Sequence, residues 1–590
     1  MNKIFEADIS LKTCAFLKEH LKDVSSFEIA NQKMADVCGI NCFFDNNDDF
    51  QTLFNSIALS DINRVAEPDR AEYGDFQTNK DLACSVAKLL ASRNIIPEIV
   101  IEPTCGKGNF IIASLSNYKS IQKIIGVEIY KPYVWETKFN ILDFFLSNPD
   151  NPKPEITITH CSIFDFDFNS ISKQFPSAKI LIIGNPPWVT NSKLGSLNSI
   201  NLPQKSNFKN QNGFDAMTGK SNFDIAEHIT LMLLDAFQVH DGHLALLVKN
   251  SVIKNIIFDQ KNIKYKIAEI EKYCIDSRKE FNVSVEASLF NCTLNSKPEY
   301  DCKEFDFYSL ANRLSFGWLN SKFVSNITDY LETKEMDGLC PFEWRQGIKH
   351  DCASIMELER ANGHFVNNLS EEVKLEEDLV YGFLKSSDLK NTVIKNTRKY
   401  TIVTQTKIGQ ETSYIQRLYP ETYSYLNKNI SYFQSRKSSI YVGKPPFSIF
   451  GVGEYSFKPF KVAISGLYKT YHFTLVLPQD DKAVMLDDTC YFIGFDKLEY
   501  AIYAILLLNS KTTEEFLKSI TFSDAKRVFT KDLLMRLDLL KLASIISKQE
   551  IDEQIVLLND KYELNISLSL WESFIKEMTP KAEKQLSMFG

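Results

Sequence analysis

Leu181-Ile-Ile-Gly-Asn-Pro-Pro-Trp188 is an apolar run that stops at a polar, rigid corner. An apolar run closed by turn residues reads as a buried strand, and two consecutive prolines hold the chain beyond it extended. Asn185 then falls at the strand's carboxyl end, where open α/β sheets place their ligands. The Asn185 amide oxygen and the Pro186 carbonyl offer two acceptors for the hydrogens of an amino group, and the indole of Trp188 stands beside them for stacking. The corner suits an aromatic amine.

Working back toward the amino terminus, a second apolar run, Ile99-Val-Ile-Glu102, opens into Pro103-Thr-Cys-Gly-Lys-Gly-Asn-Phe110. Small residues there let the backbone approach a ligand, and a helix from Ile111 onward points its amino end back at the same place. The next strand, Ile124-Ile-Gly-Val127, ends at Glu128, twenty-two residues beyond Gly106. That spacing suits a carboxylate on the ribose hydroxyls of a nucleoside cofactor. A dinucleotide loop would need a third glycine in phase, which is absent. Before the first strand, Thr78 or Asn79 is placed to cap a helix whose apolar face is Leu82, Val86, Leu89 and Leu90. A third strand is expected in Ile156-Thr-Ile-Thr-His-Cys-Ser-Ile-Phe-Asp165, and Asn185 follows Glu128 by fifty-seven residues.

Strand, glycine turn, helix, strand, acid and then Asn-Pro-Pro-aromatic, in this order, resembles the S-adenosylmethionine-dependent adenine-N6 DNA methyltransferases of the gamma motif order. The resemblance implies an α/β fold: a Rossmann-like methyltransferase domain with a mostly parallel sheet. It implies S-adenosyl-L-methionine as cofactor, with Thr78 at its methionine end and Glu102 near its sulfonium and amino groups. Pro103, Cys105, Gly106 and Gly108 would form the cofactor loop, and Glu128 with Ile129 would hold the ribose. Where the family carries Asp and an apolar residue against the cofactor's adenine, this chain has Ser162 and Ile163, with Asp165 further on; either Ser162 or Asp165 is left to make the polar contact. Asn185, Pro186, Pro187 and Trp188 would be the catalytic corner, and Phe281 the aromatic facing the target base.

At 590 residues the chain has room for two or three domains. The pattern divides it into a helical segment at 1–65, the methyltransferase domain at 66–310, a connection at 311–340, a mixed α+β target-recognition domain at 341–545 and a helical segment with a tail at 546–590. The net charge of −8 hides an uneven distribution. Residues 391–470 hold twelve Lys and Arg against three Glu, a local +9 that leaves −17 for the rest. Fourteen Tyr and Phe lie in the same stretch. Basic groups take phosphates and aromatics stack on bases or fill the module's own core. Ser435-Arg-Lys-Ser-Ser-Ile-Tyr-Val-Gly-Lys444 and Phe447 to Phe457 resemble the target-recognition domain of TaqI-like enzymes, which implies double-stranded DNA as partner and Arg436, Lys437 and Lys444 as contacts.

The tail Lys584-Gln-Leu-Ser-Met-Phe-Gly590 resembles the short peptides that dock on the bacterial sliding clamp, with Gln585, Leu586 and Phe589 as the matching residues. The twelve cysteines show no second pair at zinc spacing beyond Cys38 and Cys42, so no metal is expected. No apolar run approaches membrane-spanning length and no signal peptide opens the chain, which points to the cytoplasm. No convincing nuclease cluster stands out, so cleavage would fall to a separate restriction endonuclease. Cytosine N4, an RNA base or a protein glutamine are alternative amines, and a DNA-binding regulator without turnover is the non-enzymatic alternative.

Overall fold

In the computed structural model, the apolar run before the Asn-Pro-Pro-Trp corner is a strand, Ile180–Gly184, buried along its whole length. The structure describes residues 7–59, 77–189, 224–522 and 527–579. Two compact units divide the chain, Met1–Phe323 and Val324–Gly590.

The first unit is built on ten strands: β1 Ile99–Glu102, β2 Lys123–Glu128, β3 Glu155–His160, β4 Ile180–Gly184, β5 Gly242–Lys249, β6 Ala268–Cys274, β7 Ala287–Thr293, β8 Asp301–Asp306, β9 Asn312–Leu319 and β10 Lys322–Val324. Their order in the sheet is β10-β9-β8-β6-β7-β5-β4-β1-β2-β3. The pairs from β3 through β5 are all parallel. Strands in such a sheet are covered on both faces, which is why β1 and β4 read as unbroken Ile, Val and Leu rather than as alternation. β7 runs antiparallel between β5 and β6. Register places Glu102 opposite Gly126 and Ile101 opposite Ile182. The carboxyl ends of β1, β2 and β4 therefore open at one edge, where the strand order reverses direction about β1 and β4.

Residues 311–340 are not a bare connection. β9 pairs antiparallel with β8, and Ile327–Thr333 is a helix capped by the Asn326 side chain. The alternation in Asn312-Arg-Leu-Ser-Phe-Gly-Trp-Leu319 is that of a half-buried strand, here second from the sheet's edge, a signal weaker than a continuous apolar run.

The amino-terminal segment forms helices Leu11–Leu21, Phe27–Cys38 and Asn47–Leu59. It is joined to the sheet by a parallel bridge between Ile40 and Ile156. Lys138, with no exposed surface, donates to Phe43 O at 2.9 Å and to Asp45 at 3.1 Å. Lys131 pairs with Asp45 and Asp49 at 2.7 and 3.0 Å. Both lysines stand on the helix Lys131–Ser147 that follows β2, so the segment braces that helix.

The second unit holds a five-stranded and a six-stranded sheet. The six-stranded sheet packs a core of Ile355, Met356, Leu358, Ile402, Leu426 and Phe447 among others. Short helices Tyr414–Leu418, Pro420–Lys428 and Ile430–Gln434 belong to the basic, aromatic stretch.

Candidate active site

The glycine turn is held by bonds a side chain could not replace. Gly106 and Gly108 have φ of +51° and +77°, values that disfavour any side chain. A Cβ on Gly108 would also come within 2.8 Å of the Thr137 methyl. Cys105 N donates to Val127 O at 2.8 Å, tying the turn to β2, and Thr137 Oγ1 donates to Gly106 O at 2.7 Å.

Glu128 at the end of β2 is locked in place: Gly106 N donates to Oε2 at 2.8 Å and Tyr130 N to Oε1 at 2.7 Å. Glu102, 2% exposed, accepts from Ile111 N at 3.2 Å. Burial pushes its carboxyl well above the usual range, and the charge of Glu128 adds to the rise.

These groups line an open cavity, whose space is about 860 Å³ with the adjoining solvent included. One wall is the turn from Glu102 to Gly106 with Phe110, the next Glu128, Ile129, Tyr130 and Tyr133, the third Ile163 and Phe164, and the corner is Asn185 and Pro187, with Thr78 beside it.

Asn79, not Thr78, caps the helix Lys80–Ser92, its side chain accepting from Leu82 N at 2.7 Å. That frees Thr78 for another task. Asn185 Nδ2 donates to Thr78 Oγ1 at 3.2 Å, and Thr104 Oγ1 donates to the Asn185 carbonyl at 3.3 Å. Thr78 is itself fixed through its carbonyl, which accepts from Asn109 Nδ2 at 2.8 Å. The nitrogen edge of the Asn185 amide is thus turned to Thr78, and the oxygen lies on the opposite edge.

Several expected members stand elsewhere. Ser162 and Asp165 are not part of the wall: the chain turns between them, Asp165 N donating to Ser162 O at 3.0 Å, and Asp165 is exposed. Ile163 and Phe164 line the cavity instead. Pro103, Cys105 and Ile129 line the cavity, whereas Gly108 sits behind the turn as the cap of the helix Asn109–Asn117. Pro186 is buried outside the wall.

Trp188 is 5% exposed, and its Nε1 donates to Leu247 O at 3.2 Å. Phe281 ends the short helix Ser277–Phe281 and meets the indole edge-on, with ring centres 4.9 Å apart. The two aromatics pack on each other, so the open stacking face expected of them is covered.

In the second unit Arg436 turns inward, correcting its expected role as a DNA contact. Nε donates to Phe433 O at 3.0 Å, and Nη1 donates to Ser448 O at 2.7 Å and His350 O at 3.3 Å. Its guanidinium lies 3.7 Å from the centre of the Tyr441 ring. Carbonyl oxygens thus engage its Nε and Nη1 groups. Lys437 and Lys444 are exposed. Gln585, Leu586 and Phe589 lie outside the described residues.

Thr104, Phe110, Tyr130 and Tyr133 were not singled out from sequence. Tyr130 and Tyr133 had a signal: they stand three apart just after Glu128, where the chain enters the helix that follows β2.

The sheet order, the turn and the acid after β2 define the Rossmann-like methyltransferase fold. Over 482 residues, 81% of this chain and 99% of the relative, the sequence is 41% identical to the type II methyltransferase M.NspV of Nostoc sp.. Over 138 residues, 23% of this chain and 30% of the relative, it is 33% identical to the type II methyltransferase M.CvrRI of Paramecium bursaria Chlorella virus XZ-6E. The solved type IIL restriction-modification enzyme MmeI in complex with DNA matches with a TM-score of 0.50 at 14% identity, covering 87% of this chain and 72% of that one. At that identity the likeness is one of fold. No family model matches. The chain belongs to the type II methyltransferase family, and S-adenosyl-L-methionine is its expected cofactor. No described helix is long and apolar enough to cross a membrane.

Proposed function

We propose that this chain is a site-specific DNA methyltransferase of the restriction-modification type, acting on the N6 amine of an adenine turned out of the duplex. The observation that carries the reading is the Asn185 amide, oriented by Thr78 on the wall of a cavity suited to a nucleoside. The cavity fits S-adenosyl-L-methionine: the turn is one where a Cβ would collide, the Glu128 carboxylate is fixed for ribose hydroxyls, and Ile129, Ile163 and Phe164 offer a slot for a flat ring. When bound, the cofactor supplies an electrophilic methyl group on a cationic sulfur.

The chain's own task is to make a poor nucleophile better. An aromatic amine delocalises its lone pair into the ring. Asn185 Oδ1 and the carbonyl of Pro186, which stands beside this cavity and not on its wall, would accept the two hydrogens of a base brought against the corner, favouring a pyramidal nitrogen and freeing that pair, which is positioning rather than base catalysis. Paired in a duplex the amine is out of reach, so the base leaves the stack first. DNA is favoured as substrate by the basic stretch 391–470 of the second unit and by the fold shared with MmeI, which was solved with DNA. A separate endonuclease and a clamp docked at Leu586 and Phe589 belong to the same reading.

The test is expression in a methylation-free bacterial strain followed by sequencing of genomic DNA for modified bases. N6-methyladenine at one short sequence is the expected result. N4-methylcytosine, or unmodified DNA, overturns the adenine reading.

Thr78 is placed here as the residue that orients Asn185. Thr78→Val keeps the shape and removes the acceptor, so kcat is expected to fall about tenfold while cofactor affinity holds, the loss of one hydrogen bond. Thr78→Ser should restore kcat. Lost cofactor affinity with kcat intact would instead make Thr78 a cofactor contact.

Glu102 gives a pH prediction. Its carboxyl is raised in the free protein, and a cationic ligand beside it favours the ionised form, so binding releases a proton. Cofactor affinity should therefore rise with pH on the acid side, and Glu102→Gln should flatten that dependence in calorimetric titrations.

A further inference from the structure

Two turns in the second unit share one layout. In Lys407-Ile-Gly-Gln410, Gln410 N donates to Lys407 O at 3.2 Å; in Tyr441-Val-Gly-Lys444, Lys444 N donates to Tyr441 O at the same distance. The third residue of each is a glycine in the left-handed region, Gly409 at φ +79° and Gly443 at φ +69°, and a Cβ on either would meet nothing within 4 Å. Val442 has φ −66° and ψ 126°, which with Gly443 makes a type II turn. The second residue of each, at the outermost corner, is a β-branched apolar side chain: Ile408 is 54% and Val442 78% exposed.

Both turns stand on one stem. Thr412 Oγ1 donates to Pro446 O at 2.5 Å, Thr404 Oγ1 to Phe447 O at 2.7 Å, and Ile449 N to Gln405 Oε1 at 2.8 Å. The first turn is closed by Gln410 Oε1, which accepts from Thr406 N and Oγ1 at 2.7 and 2.9 Å. The second is stapled by Arg436, through its three carbonyl bonds and its contact with Tyr441. Isolated exposed apolar residues need no explanation. Two rigid, neighbouring tips, each presenting one at its apex, gain nothing for folding.

The charge around them names the occupant. Lys407, Lys437 and Lys444 are exposed, and no salt bridge to a carboxylate engages them among the described residues. Residues 405–445 contain six Lys and Arg against Glu411 and Glu421. A polyanion with apolar groups at a readable edge fits, and in the major groove of DNA that group is the thymine methyl.

We propose that Ile408 and Val442 are paired reading tips that enter the major groove and pack on thymine methyl groups, while Lys407, Lys437 and Lys444 hold the flanking phosphates. This rests on the DNA methyltransferase reading and assigns the specificity-determining surface to two turns.

The test uses the full chain and the duplex defined by its own modification sites. Methyl transfer to that duplex is measured first; no transfer by the parent protein defeats the function, separately from the tips. With an active parent, replacing the target's thymines outside the modified base pair by deoxyuridine is expected to weaken binding about tenfold, the scale of one lost base contact. The variant Ile408→Ala, Val442→Ala should bind the thymine duplex about as weakly and be indifferent to the replacement. Its melting profile should match the parent, because both side chains are exposed. Lys437→Ala and Lys444→Ala should weaken all sequences alike and each lower the salt slope by about one. A double variant that binds as the parent does, or a parent indifferent to uracil, overturns the proposal; weak binding by the variant with that indifference would instead mark the tips as minor-groove wedges.

Discussion

Asn185→Ala is expected to leave cofactor and DNA affinity within about twofold of the parent while methyl transfer falls by about 10³, the scale seen when one preorganised polar group is removed from a reacting centre. The side chain is short and lies at the end of β4, which is held by its backbone pairing with β1 and β5, so truncation leaves the sheet in place. What disappears is an acceptor held in position before substrate arrives. Asn185→Asp separates this from a packing effect. A carboxylate still accepts, and the Thr78 hydroxyl can turn to donate where it now accepts from Nδ2. The Asp variant should therefore retain more transfer than the Ala variant, and its activity should climb with pH as the new carboxyl ionises. Single-turnover transfer of a labelled methyl group reads both. Equal losses in the two variants would mean that Asn185 acts through packing, and wild-type rates in the Ala variant would end the proposed mechanism.

Those parts of the fold that are specified locally were legible. β1 and β4 are unbroken apolar runs because both their faces are covered, and Gly106 and Glu128 lie at a separation set by one strand, one turn and one helix. The parts set by partners distant in sequence were not. Thr78 looks like one of two capping candidates until Asn79 takes the cap, and only the fold then brings it to Asn185, 107 positions away. Arg436 was read as a phosphate contact because charge is visible in a sequence, whereas the carbonyls of Phe433, Ser448 and His350 that satisfy it are not. Trp188 was read as a stacking surface for the same reason: its type announces aromatic contact, but its neighbour Phe281 comes from a helix after β6. Ser162 and Asp165 stand outside the cavity wall because the turn after β3 sends Asp165 outward and Ile163 inward. β9 is hard to read because it carries alternation over few residues, a pattern that polar loops also produce.

The largest stability effect expected of one substitution is at Lys461. It lies in the strand Phe460–Ser465 of the second unit's five-stranded sheet, 1% exposed. Nζ donates to the Lys458 carbonyl at 2.8 Å and lies 5.8 Å from the centre of the Phe492 ring. No carboxylate contributes to its titration, and burial alone pushes the ammonium down to about 7 from its ordinary 10.5. The folded value lies below the unfolded one, so between them the unfolded chain binds more protons and stability rises with pH. The contribution is fully present above the unfolded value and is lost as pH falls toward the folded one. On this basis the parent should gain about 2 kcal/mol between pH 7 and pH 9 from this group. Lys461→Met keeps the length and removes the charge. Allowing for one lost hydrogen bond, it should exceed the parent by about 3 kcal/mol at pH 7 and about 1 kcal/mol at pH 9. Hydrogen exchange of the amides in Phe460–Ser465, corrected for intrinsic rates, follows the second unit without the first. A gap between variant and parent that stays constant from pH 7 to pH 9 would mean that the ammonium does not titrate there, and that Lys461 keeps its charge inside the sheet.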